Sequence, residues 1–231
     1  HDVSTAIIGL KTYMQEEDAM KSNRYWNKGF FDWLRPERRA RTGGGMVLLV
    51  MALLLLAPAS PALAASDTWP DEFNRQVYGN QDGSAPWKTD WIDSQGQDPT
   101  SGDIQVLTDQ GQFRLRFTQD GANATRAADL SSFSGGSASL GFDYRRTGVD
   151  NVNDLVIIEV SPTGTGSWTT VASIGGTIND GSYQSGGPYN ITSSIGANTT
   201  LRFTASSLEG GQVFFDNIQI SASAPAANTV D

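Results

Sequence analysis

Phe113-Arg114-Leu115-Arg116-Phe117 alternates strictly between large apolar and charged side chains. Successive side chains of a β-strand point to opposite faces of a sheet, so this stretch predicts a strand with one buried face. The same period of two recurs in two later segments: Leu140, Phe142 and Tyr144, then Leu201 and Phe203. Long helical periodicity is absent from Ser66 onward. The pattern therefore predicts an all-β fold.

Further strands are predicted towards the end of the chain. Residues 155–160 are apolar except for Glu159, which we interpret as a central strand covered on both faces. The Pro- and Gly-containing segment 161–167 returns the chain into a hairpin. The final strand, 213–220, is expected to point four side chains to one side: Phe214, Asp216, Ile218 and Ile220. About nine or ten strands over residues 66–220 predict a two-sheet antiparallel β-sandwich of jelly-roll type.

An uncharged segment separates this region from a basic stretch earlier in the sequence. Residues 46–57 are entirely apolar, which matches the helical core of a secretory signal. The run is short of the ~20 residues that a membrane-spanning helix needs. Basic residues precede it, and Ala62-Leu63-Ala64 follows it as a small-residue cleavage site. We predict a signal peptide at residues 20–64, cleaved after Ala64 or Ala65; an uncleaved anchor is the alternative.

The two ends of the chain are expected to lie outside the folded domain. Met20 offers a translation start, so residues 1–19 are interpreted as an upstream extension. Residues 221–231 are rich in Ala, Ser and Pro without a strand pattern, which is typical of a linker. We expect this linker to lead into a further module.

Charge and residue usage exclude several classes of function. From Ser66 onward there are 8 Lys and Arg against 19 Asp and Glu, a formal net charge of −11. Such a surface repels phosphate backbones, so nucleic acid is not an expected partner. The chain has no Cys and its one His is His1, which excludes zinc sites, Cys nucleophiles and Ser–His pairs from the domain. No paired-carboxylate strand motif typical of jelly-roll glucanases occurs, so we expect no enzyme activity.

Short motifs along residues 66–220 together resemble a known family. They include Asp71-Glu72-Phe73, Asn80-Gln81-Asp82-Gly83-Ser84, Leu140-Gly141-Phe142-Asp143-Tyr144, Thr199-Thr200-Leu201-Arg202-Phe203 and Phe215-Asp216-Asn217-Ile218. Their order resembles bacterial extracellular jelly-roll modules, similar in architecture to MAM domains and galactose-binding-like carbohydrate modules. Such modules occur in large secreted or surface-attached proteins of the adhesin type. The resemblance implies an extracellular binding role.

The resemblance also implies a structural calcium ion that joins the first strand to the last. Asp71 or Glu72, together with Asp216, would supply the carboxylate oxygens that Ca²⁺ prefers. The alternative for Asp216 is that it accepts backbone N–H groups or pairs with Arg202. A second acidic group lies in the loop near the tryptophans: Asp82, Asp90 and Asp93. For this group, solvated turns are the simpler interpretation.

Four aromatic residues in polar or Gly-rich surroundings are candidate ligand contacts: Trp87, Trp91, Tyr183 and Tyr189. Sugar rings stack on exposed aromatic side chains, while neighbouring polar groups bond the sugar hydroxyls. Packing of the same rings in the core or over a sheet edge is the alternative, because burial is the commoner fate of Trp.

These observations predict a non-catalytic module for binding or adhesion that is secreted or held at the cell surface. Its expected partner is an extracellular glycan or a surface protein, and it meets the membrane only through the signal segment before cleavage. Two alternatives stay open. One is a spacer with no ligand of its own, and the other is an ancillary domain of an exported hydrolase.

Overall fold

A computed structural model describes residues 64–208 and 210–226 of the chain. The predicted extension at 1–19 and the predicted signal segment at 20–64, apart from Ala64, lie outside the described residues. Within the described ranges, no helix has the length and apolar character needed to cross a membrane.

Eleven strands make up most of the regular structure in residues 64–208 and 210–226. They are β1 (Ser66–Asp71), β2 (Ile92–Asp93), β3 (Ile104–Asp109), β4 (Gln112–Phe117), β5 (Asn123–Ala128), β6 (Ser137–Thr147), β7 (Leu155–Ser161), β8 (Thr169–Gly175), β9 (Gln184–Asn190), β10 (Thr199–Ser206) and β11 (Gln212–Ser223). Two single-turn 3-10 helices, Ser131–Phe133 and Thr192–Ser194, connect strands. The predicted all-β class is confirmed.

The strands form two antiparallel sheets that face each other. The first has six strands in the order β3-β4-β11-β6-β9, and β1 pairs with the second half of β11 beyond the end of β4. The second has five strands in the order β2-β5-β10-β7-β8. The predicted two-sheet sandwich and the predicted β7–β8 hairpin are both confirmed.

Aromatic rings from the alternating strands form the centre of the core between the two sheets. Phe203 of β10 meets Phe215 of β11 edge-on with ring centroids 4.9 Å apart, and Phe142 of β6 meets Phe215 at 5.6 Å. Phe117 of β4 completes the group. Burial of these large apolar rings is the main stabilising contribution in a fold without disulfides. The edge-to-face contacts between the rings add to it.

The last strand departs from its predicted pattern because it contains a β-bulge. The pairing of β11 with β6 shifts register between Asp216 and Gln219, and Asn217 adopts a φ of 48°. One extra residue in a strand moves the following side chains to the other face. Phe215 and Ile218 therefore both face the core, whereas Asp216 lies on the outer face. The expectation that Phe214 and Asp216 share a face with Ile218 and Ile220 is wrong.

Two smaller expectations also change. In β7, Val156, Ile158 and Val160 are buried, but Ile157 and Glu159 on the other face are half-exposed, so this strand is covered on one face only. Strand β11 continues to Ser223, which pairs with Ser66 of β1. The predicted linker therefore begins at least three residues later than the composition suggests.

Candidate ligand-binding groove

Asp71, at the end of β1, is the centre of a fully buried cluster beneath the long loop between β1 and β2. Its carboxylate accepts the indole N–H of Trp91 over 2.7 Å and forms an ion pair with Arg126 of β5. The Arg126 guanidinium also donates to two backbone carbonyls of the loop and lies over the ring of Trp87, 4.6 Å from its centroid. This cluster ties the loop to both sheets.

Trp87 and Trp91 are consequently core residues, with 4% and 0% of their surfaces exposed. Trp91 stacks on Phe73 and meets Phe203 edge-on. No face of either ring is open to a sugar, so the expected ligand stacking is corrected, for these two residues, to core packing. The reason is Arg126, because its buried charge needs both the Asp71 carboxylate and the faces of aromatic rings.

Tyr183 and Tyr189 are half-buried in two different settings. Tyr189 of β9 stacks on Phe142 with centroids 5.6 Å apart and packs against the core. Tyr183 lies in the loop between β8 and β9, where its hydroxyl donates to Asp109 over 2.9 Å and its ring lies 4.8 Å from the Arg114 guanidinium. Burial and the bond to Asp109 raise the pKa of the Tyr183 phenol. The four predicted aromatic residues thus do not form one platform, and sugar contact at the two tyrosines stays a prediction.

Arginine side chains bind the carboxylates of the predicted calcium site. Asp71 is paired with Arg126, and Asp216 pairs with Arg114 at 2.8 Å instead of with Arg202. Burial raises the pKa of each of these two carboxyl groups to about 6, although the neighbouring arginine acts in the opposite direction. Glu72 is exposed.

These residues do not fit a divalent cation in this arrangement. The guanidinium groups already supply the positive charge that a metal would bring to Asp71 and Asp216. Across residues 64–208 and 210–226, no three His, Asp or Glu side chains lie close enough together to hold a metal ion, the loop residues Asp82, Asp90 and Asp93 included. Calcium binding at Asp71, Glu72 and Asp216 therefore stays a prediction from the resemblance alone.

Short hydroxyl side chains cover the outer face of the six-stranded sheet where β1, β11 and β6 run side by side. The strand register aligns them in two rows: Thr68, Ser221 and Ser139, then Ser66, Ser223 and Ser137. Within the second row, the hydroxyl oxygens of Ser137 and Ser223 lie 2.8 Å apart. In β6 and β11 these positions alternate with buried apolar residues, and in β1 Thr68 precedes the buried Trp69, so the rows face away from the core.

The rows form part of the floor of a groove, which we call the serine groove. The rest of the floor consists of Gly141, Asp143, Asn217 and Gln219, and Pro188 and Asn190 lie at the β9 side. The groove consists of two clefts that share Ser139, Pro188 and Ser221. One cleft, of about 610 Å³, covers the hydroxyl rows, and the other, of about 330 Å³, extends over Gly141 to Asp143. Six residue steps along β6 correspond to about 20 Å, so the groove suits an extended chain.

Gly141 sits in the floor of the smaller cleft. A Cβ added there would contact only the carbonyl oxygen of Gly186, at 3.7 Å, which is an ordinary contact distance. Gly141 is on the same face as Ser139 and Asp143, its neighbours two positions away in β6. The missing side chain thus keeps the middle of the groove open.

Asp143 closes one end of the groove. Its two carboxylate oxygens accept one hydrogen bond each, from the hydroxyl of Ser185 and from the side-chain amide of Asn217, both over 2.8 Å. Asn217 reaches this position because of the bulge in β11. The carboxylate is therefore fixed in orientation while Asp143 itself is only half-buried.

A network of arginine pairs borders this end of the groove on the same face of the sheet. Arg145 donates to both carboxylate oxygens of Asp109, over 2.8 and 2.5 Å, and its guanidinium lies over the ring of Phe214. Burial works to raise the pKa of Asp109, but the bonds from Arg145 and Tyr183 hold it below its ordinary value. Together with the Arg114–Asp216 pair, these contacts hold the bordering side chains in place.

The serine groove was not among the predicted sites, although its residues carry a sequence signal. Ser137 and Ser139 alternate with Ala138 and Leu140, and Ser221 and Ser223 follow Ile220 in the same way. Each pattern alone indicates a strand with one polar face. Only the register, which brings these strands next to each other and next to Thr68, turns two ordinary polar faces into one hydroxyl-lined floor.

No family model matches the chain, and no curated protein matches its sequence. Among solved structures, the chain is similar to the CBM22-1–GH10 modules of Clostridium thermocellum endo-1,4-β-D-xylanase 10B complexed with xylohexaose, at 12% identity and a TM-score of 0.46. That match covers 71% of this chain and 30% of the xylanase chain.

Two isolated modules are similar to the same extent. A family 29 carbohydrate-binding module has 12% identity and a TM-score of 0.43, over 69% of this chain and 91% of the module. The CBM22-1 xylan-binding domain of Paenibacillus barcinonensis Xyn10C has 13% identity and a TM-score of 0.45, over 74% of this chain and all of the domain.

Proposed function

We propose that the protein is a non-catalytic module that binds an extended glycan in the serine groove. The observation that carries this proposal is the groove itself, a channel of about 20 Å. Aligned Ser and Thr hydroxyls line its floor in one cleft, and Gly141, Asp143, Asn217 and Gln219 line it in the other. Hydroxyl and amide side chains both donate and accept hydrogen bonds, which is what a ligand covered with hydroxyl groups requires. The strands beneath them hold these groups in position before a ligand arrives, which lowers the entropic cost of binding.

The distribution of carboxylates in the groove supports binding without hydrolysis. Cleavage of a glycosidic bond ordinarily uses two carboxyl groups within about 10 Å of each other. The charged residues that line the two clefts are Asp143 at one end and Asp67 at the other. Asp67 pairs with Ala222, which in turn pairs with Ala138 of β6. Ala138 is five residues from Asp143 along β6, so the two carboxylates are separated by on the order of 16 Å or more, too far for this reaction.

The proposal places this module outside the cell, as the predicted signal segment implies. The net negative charge of the domain favours solubility there. Its core of packed aromatic rings supplies stability without disulfides. Binding of a glycan would serve attachment to a surface or to a polymer.

A glycan array with the purified chain tests the proposal, using a variant that fills the groove. Gly141→Leu adds a bulky side chain to the floor where space is open, so it should weaken binding about ten-fold or more. Thr125→Leu is the matched control, because Thr125 is half-exposed on β5 of the other sheet. Unfolding free energies of both variants should stay within about 1 kcal/mol of the parent protein.

The expected result is binding to at least one class of glycan that Gly141→Leu loses and Thr125→Leu retains. Silence of the parent protein across a broad array would contradict the proposal and favour the spacer interpretation. Equal binding by the parent protein and Gly141→Leu would place the ligand elsewhere on the molecule.

A further inference from the structure

Asp143 is the one charged side chain in the lining of the smaller cleft of the serine groove. Ser185 and Asn217 hold its carboxylate from two sides with uncharged donors. Each carboxylate oxygen offers about two acceptor sites, so each keeps one for a ligand after these bonds are made. The groove therefore presents a carboxylate acceptor that is fixed in position.

The arginines on this face do not neutralise that charge. Arg114 pairs with Asp216, Arg145 binds Asp109 with two hydrogen bonds, and Arg116 donates to Gln105. Within residues 64–208 and 210–226, Asp143 forms no ion pair of 4 Å or less. Neither cleft has a Lys or Arg in its lining.

A fixed carboxylate without a cationic partner discriminates between ligands by charge. A pair of sugar hydroxyls can donate to its two oxygens, and hydrogen bonds to an ionised acceptor are stronger than those between neutral groups. A uronic acid in the same place would bring a second negative charge to within a few ångströms, which is repulsive and costs desolvation. The net charge of −11 from Ser66 onward, 8 basic against 19 acidic residues, also repels acidic glycans.

We infer that the serine groove selects uncharged glycans and rejects acidic ones, and that Asp143 is the residue that determines this specificity. The inference rests on the proposed function and names the ligand class for the same site. In this arrangement the hydroxyl rows bind the part of the glycan in the larger cleft, while Asp143 binds a pair of hydroxyl groups on one sugar at the end of the groove.

The test compares matched neutral and acidic ligands. Cellohexaose and mannohexaose are each titrated against their counterparts in which the primary alcohols have been oxidised to carboxylates. The parent protein, Asp143→Asn, Gly141→Leu and the exposed-loop control Asp150→Asn are measured at low and at high salt. Asp143→Asn keeps the size of the side chain and removes its charge.

We expect the parent protein to bind at least one neutral hexasaccharide about ten-fold or more tightly than its oxidised counterpart, with a smaller ratio at high salt. Asp143→Asn should weaken binding of the neutral hexasaccharide several-fold, since a charge-assisted bond is lost, and should reduce the neutral-to-acidic ratio about five-fold. Asp150→Asn should leave the ratio unchanged.

Two results would overturn the inference and leave the proposed function standing. One is that the parent protein binds the oxidised sugars as tightly as the neutral ones, or more tightly, and that Gly141→Leu abolishes this binding. The other is a neutral-to-acidic ratio that Asp143→Asn does not change. Failure of the parent protein to bind either series or any glycan of the array would overturn the inference together with the proposed function.

Discussion

Asp71 and Asp143 each anchor a cluster of hydrogen bonds, but the first cluster is buried and paired with an arginine, whereas the second lies at a cleft and, among the described residues, has no cationic partner. Asp71 is buried between the loop and the sheets, where Arg126 neutralises it and Trp91 donates to it. Asp143 lies half-exposed at the end of the groove, where only uncharged side chains bind it. The Asp71 carboxylate is used inside the protein, where its bonds tie the loop to the sheets, whereas the Asp143 carboxylate keeps acceptor sites open at the cleft.

Removing Arg126 should break the first cluster and give the largest effect of any single substitution. Arg126→Met keeps much of the side-chain volume but leaves Asp71 buried without its partner, so we expect a loss of about 3–5 kcal/mol in the free energy of unfolding. Denaturation by urea measures this loss. Glycan binding in the serine groove should persist at temperatures where the variant is folded, because Arg126 donates to Asp71, Thr89 and Asn80, none of which lines the groove.

The double variant Arg126→Met with Asp71→Asn is the control for this experiment. It removes the unpaired charge as well, so it should recover part of the lost stability. If the double variant were as unstable as the single one, the lost packing of Arg126 on Trp87 would account for the effect instead of its charge.

Sequence patterns predicted the fold better than the site, for reasons that these clusters illustrate. Alternation in Phe113-Arg114-Leu115-Arg116-Phe117 reports directly which side chains are buried, so it predicts strands and a sandwich. It does not show that Arg126, on a distant strand, buries Trp87 and Trp91 and leaves them unavailable to a ligand. The position of Asp216 depends on one extra residue in β11, and a single bulge leaves no clear mark in the sequence.

Stability should fall as the pH rises from about 4 to about 6. An unfolded aspartate ionises near its ordinary pKa of 3.8, whereas burial raises the pKa of Asp71 and of Asp216 to about 6 in the folded protein. Between these values the folded state binds more protons than the unfolded state, so the free energy of unfolding decreases with pH and levels off above 6. With the pKa of two carboxyl groups raised from 3.8 to about 6, the expected total change is on the order of 5 kcal/mol.

Comparison of two Asp→Asn variants shows which residues cause this pH dependence of stability. Asp216→Asn removes one of the two titrating groups, so its stability should decrease less between pH 4 and pH 6. The exposed-loop variant Asp150→Asn should keep the slope of the parent protein. An unchanged slope in Asp216→Asn would mean that Arg114 keeps Asp216 ionised throughout this range.

Calcium should have the smallest effect, although the resemblance to jelly-roll modules predicts a structural ion. Asp71 and Asp216 already pair with arginines, and a metal ion could bind them only by displacing Arg126 or Arg114. We therefore expect thermal unfolding with millimolar Ca²⁺ and with EDTA to give the same midpoint. An upward shift with Ca²⁺ would contradict this, because a ligand that binds only the folded state stabilises it. Such a shift in the parent protein but not in Asp216→Asn would place the ion at the bulge of β11.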